Sequence, residues 1–387
     1  MISVVGGGIM GALSALVAAR FGLVDWWAPS ENPQRDDGAQ ARAYALAPQT
    51  VELLRELGIW TALADKAQPV VAMQVFHVQP AAQVDLLASD AQLEALAHIV
   101  VHADLLAACE QAAQYAANIQ RKGAFQPPDP LACDPALACP PGSSLTIAAD
   151  GKDSRLRRAA GILHSRRDYD QMALVMAFTT EQPHGGMACQ WFRPEGILAL
   201  LPLHDPHQVS MVYSLPTAHA LQLKAQSLQD IACRITQDSE HRFGALSPAS
   251  EACQATPLAM TTAERMTAGR LVLVGDAAHT VHPLAGYGLN LGAQDLLALR
   301  QDLQTEQTAH AKTFDPGHRG VLQAYAKSRQ FQVPQVQWGL DILWRVVMGE
   351  TPGLAGGRSM GMQFVQAMPH LRKWLVGSAL SGRAVPF

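Results

Sequence analysis

The chain has 387 residues, 49% hydrophobic and 16% charged, which is enough apolar content for a substantial core divided over two or three domains. A formal net charge of -4, with no dense Lys or Arg tract, argues against nucleic acid as a partner. The six cysteines form no CxxC pair and no paired Cys/His spacing, which argues against a zinc site or disulfide framework and predicts free thiols in a reducing, cytoplasmic compartment.

In chain order, Ile2-Ser3-Val4-Val5 is a short apolar run that meets Gly6, Gly7 and Gly8, and Ile9 to Phe21 then repeats apolar residues at helical spacing up to Gly22. This predicts strand, tight turn and helix. Leu23 to Trp27 reads as a second buried strand and completes a βαβ unit, which favours a parallel, helix-covered sheet. No basic segment precedes the apolar start and glycines interrupt it, so a signal peptide is not expected. No apolar run approaches the roughly 20 residues of a membrane-spanning helix.

Thr50 to Leu57 is predicted helical, with Gly58 as its C-cap. Residues 69–97 alternate weakly and are expected outside the first sheet, and Leu105 to Ala116 is expected to be a helix. The Pro-, Ala- and Cys-rich stretch from Ala124 to Ser144 suits an irregular surface excursion. Ser144 to Ala149 reads as a strand. Gly196 to Leu203 and Val209 to Leu215 read as antiparallel strands joined across His204-Asp205-Pro206-His207. Arg270 to Val274 is a further short strand, followed by a helix over Leu289 to Leu303. Pro334 is expected to interrupt the next helical stretch, and the chain from Leu371 is expected to be helical. No internal repeat is visible.

Gly6, Gly8 and Gly11 fit GxGxxG, in which glycines permit a tight turn, close approach of a pyrophosphate and close packing of helix on strand. The helix start then faces the anion. The acid expected at the end of the second strand is missing, since that strand runs Val24-Asp25-Trp26-Trp27-Ala28. Asp25 is expected to point into the strand. Either Glu31, a few residues late, swings back to the adenosine ribose, or that hydrogen bond is absent.

The most specific segment is GDAAHTVHPLAGYGLNLG, from Gly275 to Gly292. It resembles the GD motif of the flavoprotein hydroxylases, and specifically that of the ubiquinone-biosynthesis hydroxylases, which are FAD-dependent aromatic-ring monooxygenases of the 2-polyprenylphenol or octaprenyl-methoxyphenol hydroxylase type. The resemblance implies that Asp276, after Gly275, holds the ribityl chain of FAD, and that backbone N–H groups at Leu289 and Asn290 meet the pyrimidine edge of the ring. Pro283 would shape the loop beside the ring, and Gly286 and Gly288 would let backbone lie close to it. Independently of the family, a helix starting near Leu289 presents its positive end where a reduced flavin carries negative charge.

Asp150 and Arg157, in Ala149-Asp150-Gly151-Lys152-Asp153-Ser154-Arg155-Leu156-Arg157, resemble the DG motif, associated with flavin and nicotinamide binding. Arg42 resembles the arginine of the family's DxRxxAL segment, suited to a phosphate or the ring edge; the alternative is a plain surface charge. His279 and His282 have HxxH spacing, but with no third ligand type nearby no metal is expected. Trp26, Trp27 and Trp60 are expected in the core.

The implied fold is α/β, with a Rossmann-like FAD-binding domain of the p-hydroxybenzoate-hydroxylase kind, an inserted, mainly antiparallel β-sheet substrate domain and C-terminal helices. The FAD-binding domain would comprise 1–68, 98–161 and 257–318, the substrate domain 69–97 and 162–256, and the helical region 319–387. Three departures stand out: Tyr287 where the family usually has glutamine, Ala28 in place of the ribose acid, and a stretch, 110–143, that lacks the alternating strands usual before the DG motif.

By resemblance, NAD(P)H reduces the FAD, and dioxygen then forms a flavin hydroperoxide that passes one oxygen to a polyprenylated phenol on the way to ubiquinone. A peripheral contact with the inner membrane, and membership of a biosynthetic complex or homo-oligomer, belong to the same expectation. No residue declares itself as the base; Tyr213, Tyr287 and His204 are the candidates. The competing readings are a hydroxylase of soluble aromatics, a non-catalytic scaffold of the same fold, and a nicotinamide-only dehydrogenase, the last leaving the GD motif unexplained.

Overall fold

The computed structural model describes residues 1–29, 41–78, 81–127, 138–281 and 287–348. The fully buried run β1 (Ile2–Val5) ends at Gly6, whose φ of +143° favours glycine. Helix α1 (Ile9–Ala18) follows, and β2 (Val24–Trp27) returns parallel to β1 with Ile2 opposite Val24. The βαβ unit is therefore as expected.

The chain next forms β3 (Ala43–Leu46) and α2 (Pro48–Glu56), with Pro48 in the first helical turn where its missing N–H leaves no bond unmade. Strands β4 (Gln68–Val70), β5 (Ala72–Val78), β6 (Ala81–Leu87) and β7 (Ala97–Val101) lead to α3 (His102–Tyr115) and β8 (Ile119–Lys122). Then come β9 (Leu145–Ala148) and the short α4 (Arg155–Ala159). The antiparallel region consists of β10 (His164–Thr180), β11 (Met187–Arg193), β12 (Gly196–Pro202) and β13 (Gln208–Pro216). After α5 (Thr217–Lys224) and α6 (Leu228–Asp238) come β14 (Leu246–Pro248) and β15 (Gln254–Ala263). Short strands β16 (Thr267–Ala268), β17 (Leu271–Leu273) and β18 (His279–Thr280) precede the long helices α7 (Tyr287–Ala309) and α8 (Arg319–Met348).

The first sheet has the order β16-β17-β9-β1-β2-β8 and is parallel apart from β16. Within 110–143, expected to lack the alternating strands usual before the DG motif, the described residues supply one short strand, β8. Ile119-Gln120-Arg121-Lys122 has only one apolar residue because it lies at the sheet edge, where Lys122 approaches Asp25 at 3.6 Å and the Arg121 guanidinium lies 4.8 Å from the Trp26 ring centre.

The second sheet runs β18-β15-β10-β13-β12-β11-β5-β6, with β14 paired to β10. Period-2 alternation gives it two distinct faces. Leu174, Met176, Trp191, Leu198 and Met211 pack on one face with Ala220 of α5 and Ile231 of α6. The small sheet β3-β7-β4 lies against the other face, where Ala43 and Ala45 meet Met73, Ala188 and Leu201.

Helix α8 runs through Pro334 without interruption, contrary to expectation. A mid-helix proline costs about 3 kcal/mol, and anchors on both sides of it offset that cost. Tyr325, fully buried, donates to the Leu273 carbonyl at 2.7 Å, and Arg329 reaches Asp295 on α7. Beyond the proline, the Gln337 amide donates to the Thr261 and Thr280 carbonyls at 3.0 Å each. Among the described residues no helix is long and apolar enough to cross a membrane. The helix expected from Leu371 lies outside the described residues.

Candidate active site

Three segments far apart in sequence converge at the carboxyl ends of β1 and β9. At the glycine turn, a Cβ on Gly11 would overlap the Gly6 carbonyl, and one on Gly6 would overlap the Ala149 carbonyl. The turn therefore tolerates no side chain at either position, and Ala149 leads directly into Asp150. Gly8 forms the N-cap of α1 without any side-chain hydrogen bond, so the first helical amides have no acceptor within the helix. They form an anion site.

Met10, on the first turn of α1, touches the GD segment, since a Cβ on Gly275 would lie 3.1 Å from its Cγ and one on Gly292 would lie 2.8 Å from its Sδ. Gly275 has φ +57°, which aims Asp276 away from β17. The Asp276 side chain is open to solvent yet walled by protein, the geometry of a cleft. Burial raises its pKa, while His279, Arg42 and Lys152 pull the other way.

Asp150 caps α4 by accepting from the Arg155 and Leu156 amides at 2.7 and 3.2 Å. Its other oxygen, Oδ1, is buried without a hydrogen-bond partner among the described residues. Arg157 is buried, donating to the Ala277 carbonyl at 2.7 Å and the Lys152 carbonyl at 2.9 Å, so it ties the DG turn to the GD segment.

Leu289 and Asn290 sit in the first turn of α7. The Asn290 side chain accepts from the Ala47 amide at 2.9 Å and the Thr50 hydroxyl at 2.8 Å, and donates to the Ala45 carbonyl at 2.8 Å. This clamp fixes the helix start against β3. Among the described residues, a Cβ on Gly288 would meet nothing within 4 Å.

Arg42 is exposed, with its guanidinium 5.1 Å from the Tyr44 ring centre. The Tyr44 hydroxyl pairs with His102 Nδ1 at 3.1 Å. Sequence reasoning missed Tyr44 and His102, although Arg42, Tyr44 and the cleft carboxylate of Asp276 influence one another electrostatically. Burial, and then the Arg42 charge, push His102 down to about 4, so its ring is neutral at pH 7. A histidine whose folded pKa lies below its unfolded value adds stability that is complete above pH 6.5 and lost as pH falls through 6.5 toward 4. His102→Gln is therefore expected to flatten the acid side of a melting-temperature profile between those values by a few degrees. Parallel profiles for wild type and variant would refute this.

Beneath the GD segment lies a buried network that the sequence did not announce. Asp295 accepts from the Gly275 amide at 2.8 Å, from His279 Nε2 at 2.8 Å and from Arg329 Nε at 2.7 Å, all at 2% exposure or less except the amide, which is also buried. Burial alone would push the Asp295 carboxyl up; His279, Arg329 and the hydrogen bonds outweigh it and hold the carboxyl below the usual range. His279 is thus committed to Asp295, while His282 lies outside the described residues.

Of the proposed bases, Tyr213 is corrected. Strand alternation puts it on the helix-covered face, where burial raises its pKa and its hydroxyl bonds Asp238 at 3.1 Å. His204 is exposed in the turn between β12 and β13. Glu31, Pro283 and Gly286 lie outside the described residues, as does the side chain of Tyr287.

The surviving groups fit FAD. A glycine cradle that a methyl would fill, a carboxylate oxygen on Asp150 without a partner among the described residues and the carboxylate of Asp276 belong to segments that pack together through Gly6 on Ala149, Met10 on Gly275 and Arg157 on the Ala277 carbonyl. The comparisons agree. Residues 1–331 match the family described as FAD binding domain. The chain is 28% identical to 3-demethoxyubiquinol 3-hydroxylase of Escherichia coli (strain K12), over 98% of each chain. It is 26% identical to ubiquinone hydroxylase UbiL of Rhodospirillum rubrum, over 98% of this chain and 89% of that one. Among solved structures, p-nitrophenol 4-monooxygenase PnpA of Pseudomonas putida DLL-E4 has the same fold, with a TM-score of 0.74 at 15% identity over 99% of this chain and 98% of that one. HpxO of Klebsiella pneumoniae, solved with FAD and uric acid, gives 0.72 at 16% identity over 99% and 97%. The chain belongs to the FAD binding domain family and is an FAD-dependent monooxygenase.

Proposed function

We propose that this monooxygenase hydroxylates the ring of a polyprenylated phenol in ubiquinone biosynthesis, with NAD(P)H and dioxygen as co-substrates. The observation that carries the reading is the near full-length similarity to two hydroxylases named for ubiquinone chemistry, in a chain whose glycine turn, DG turn and GD segment pack against one another.

When bound, FAD supplies the redox chemistry, taking reducing equivalents from NAD(P)H and activating dioxygen for transfer to the ring. The chain supplies position and charge. The glycine turn and the start of α1 take the diphosphate, Asp276 takes the ribityl hydroxyls, and the amides of Leu289 and Asn290 take the pyrimidine edge. Arg42 and Lys152 add positive charge along the groove, offsetting Asp276 and the diphosphate. Neutral His102 holds Tyr44 in place without adding a charge of its own. A long apolar tail would be collected at a membrane surface, which co-sedimentation with phospholipid vesicles tests.

The deciding experiment is rescue of strains each blocked at one ring hydroxylation of the pathway, paired with NAD(P)H oxidation by the purified yellow protein. Rescue of one strain, together with oxidation stimulated by 2-geranylphenol, is expected. Stimulation by small soluble phenols alone, without rescue, would favour a hydroxylase of soluble aromatics. A colourless protein that cannot be reconstituted would favour a scaffold.

A further inference from the structure

One polar side chain on the β3-facing side of the second sheet is not used by anything described above. Register places Val75, Gln190, Ala199, Val212 and Val175 side by side across β5, β11, β12, β13 and β10. Alternation puts all five on the face opposite Trp191, Leu198 and Met211. One row away on that face, Leu201 packs on Ala43 and Ala45, and the Ser210 hydroxyl donates to the Ala41 carbonyl at 2.6 Å. The Ala45 carbonyl is in turn bound by Asn290 at the start of α7. The row therefore lies beside the strand that borders the cofactor groove.

Val75, Ala199, Val212 and Val175 are only half-buried, although they lie in the middle of a nine-stranded sheet. A small-residue apolar strip left partly open at the centre of a sheet is the wall of a recess. Gln190, set between Val75 and Ala199, is 6% exposed; its amide is not fully enclosed and makes no side-chain hydrogen bond to the described residues. An amide that keeps part of its surface open on an apolar wall is free to take up a ligand oxygen.

We propose that Gln190 binds the ring oxygen of the aromatic substrate, a specificity contact that rests on the hydroxylase reading given above. A glutamine amide serves either protonation state, because its Oε1 accepts from a phenol and its Nε2 donates to a phenolate or a methoxyl oxygen. Ala199 and the flanking valines leave width for a flat ring and offer it no competing polar group. A site built around such an amide rejects rings that lack the oxygen, because the amide is then left unpaired.

The test titrates the FAD-loaded protein with 2-geranylphenol and with geranylbenzene, the same molecule without its hydroxyl, following the flavin absorbance. Wild type is expected to bind the phenol about tenfold more tightly, and Gln190→Leu to bind both alike by weakening the phenol while leaving geranylbenzene unchanged. Gln190→Asn keeps the amide one methylene shorter and is expected to keep part of the preference. Flavin content and melting temperature report that each variant folds. An undiminished preference in Gln190→Leu overturns the role of Gln190 alone. If neither compound perturbs the flavin of the wild-type protein, the aromatic-substrate reading falls, and this inference with it.

Discussion

Gly11→Ala is expected to purify without flavin. The added methyl would overlap the Gly6 carbonyl, a backbone atom that has no rotamer by which to move aside. Gly6 is equally constrained, because its own Cα faces the Ala149 carbonyl and its φ of +143° suits only glycine. The strain must therefore move the turn away from the start of α1, where the amides take the diphosphate. An affinity loss of at least about 100-fold, equivalent to ~2.7 kcal/mol, is expected. The ratio of flavin to protein absorbance and calorimetric titration of the apoprotein with FAD measure it. Gly123→Ala, away from the glycine turn, is the control, since its methyl meets none of the described residues within 4 Å and the variant should fold and keep flavin as wild type does. Tight, stoichiometric flavin in Gly11→Ala would remove the diphosphate from the glycine turn.

The second large effect is expected at a residue remote from any ligand. Asp295→Leu strands the Arg329 guanidinium, 1% exposed, and His279 without their carboxylate, and it frees the amide of Gly275. Removing one partner of a buried ion pair costs about 3–5 kcal/mol. Urea unfolding of the flavin-free protein should show that loss. Asp295→Leu combined with Arg329→Met, which removes both charges, should recover part of it. Because Gly275 directs Asp276, the single variant should also bind FAD more weakly, even at temperatures where it remains folded. Unchanged stability in the single variant would mean that water or other groups satisfy Arg329.

These two sites differ in how legible they are. Gly6 and Gly11 could be read directly, because a turn that excludes Cβ atoms writes its requirement into adjacent positions. The GD segment was readable for the same reason, as was Asp150 before Gly151, whose φ is +86°. Asp295 and Arg329 left no local trace. Asp295 lies among ordinary helical residues, and its meaning arises only when α7, α8 and the segment after β17 meet. Gln190 likewise acquires significance only from strand register. Strand β8 escaped notice because a polar edge strand lacks the apolar run by which buried strands are found. Tyr213 was misread for the opposite reason, since a tyrosine in a strand gives its face only after the neighbouring helices are known. Pro334 illustrates tertiary override, with Tyr325, Arg329 and Gln337 holding α8 straight through a residue that local preference rejects.

The arrangement of the first sheet sets an order of events during synthesis. Strand β1 leaves the ribosome long before one of its two neighbours, β9, which begins at Leu145, and before β17 beyond it, which begins at Leu271. The nascent chain must therefore hold an apolar strand with one side unpaired while more than a hundred further residues are added. Such an exposed edge invites pairing with the wrong chain. Slow closure of such long loops makes this sheet the expected bottleneck in expression, and supplying flavin early should help least there, since the groove does not exist until β17 and α7 arrive.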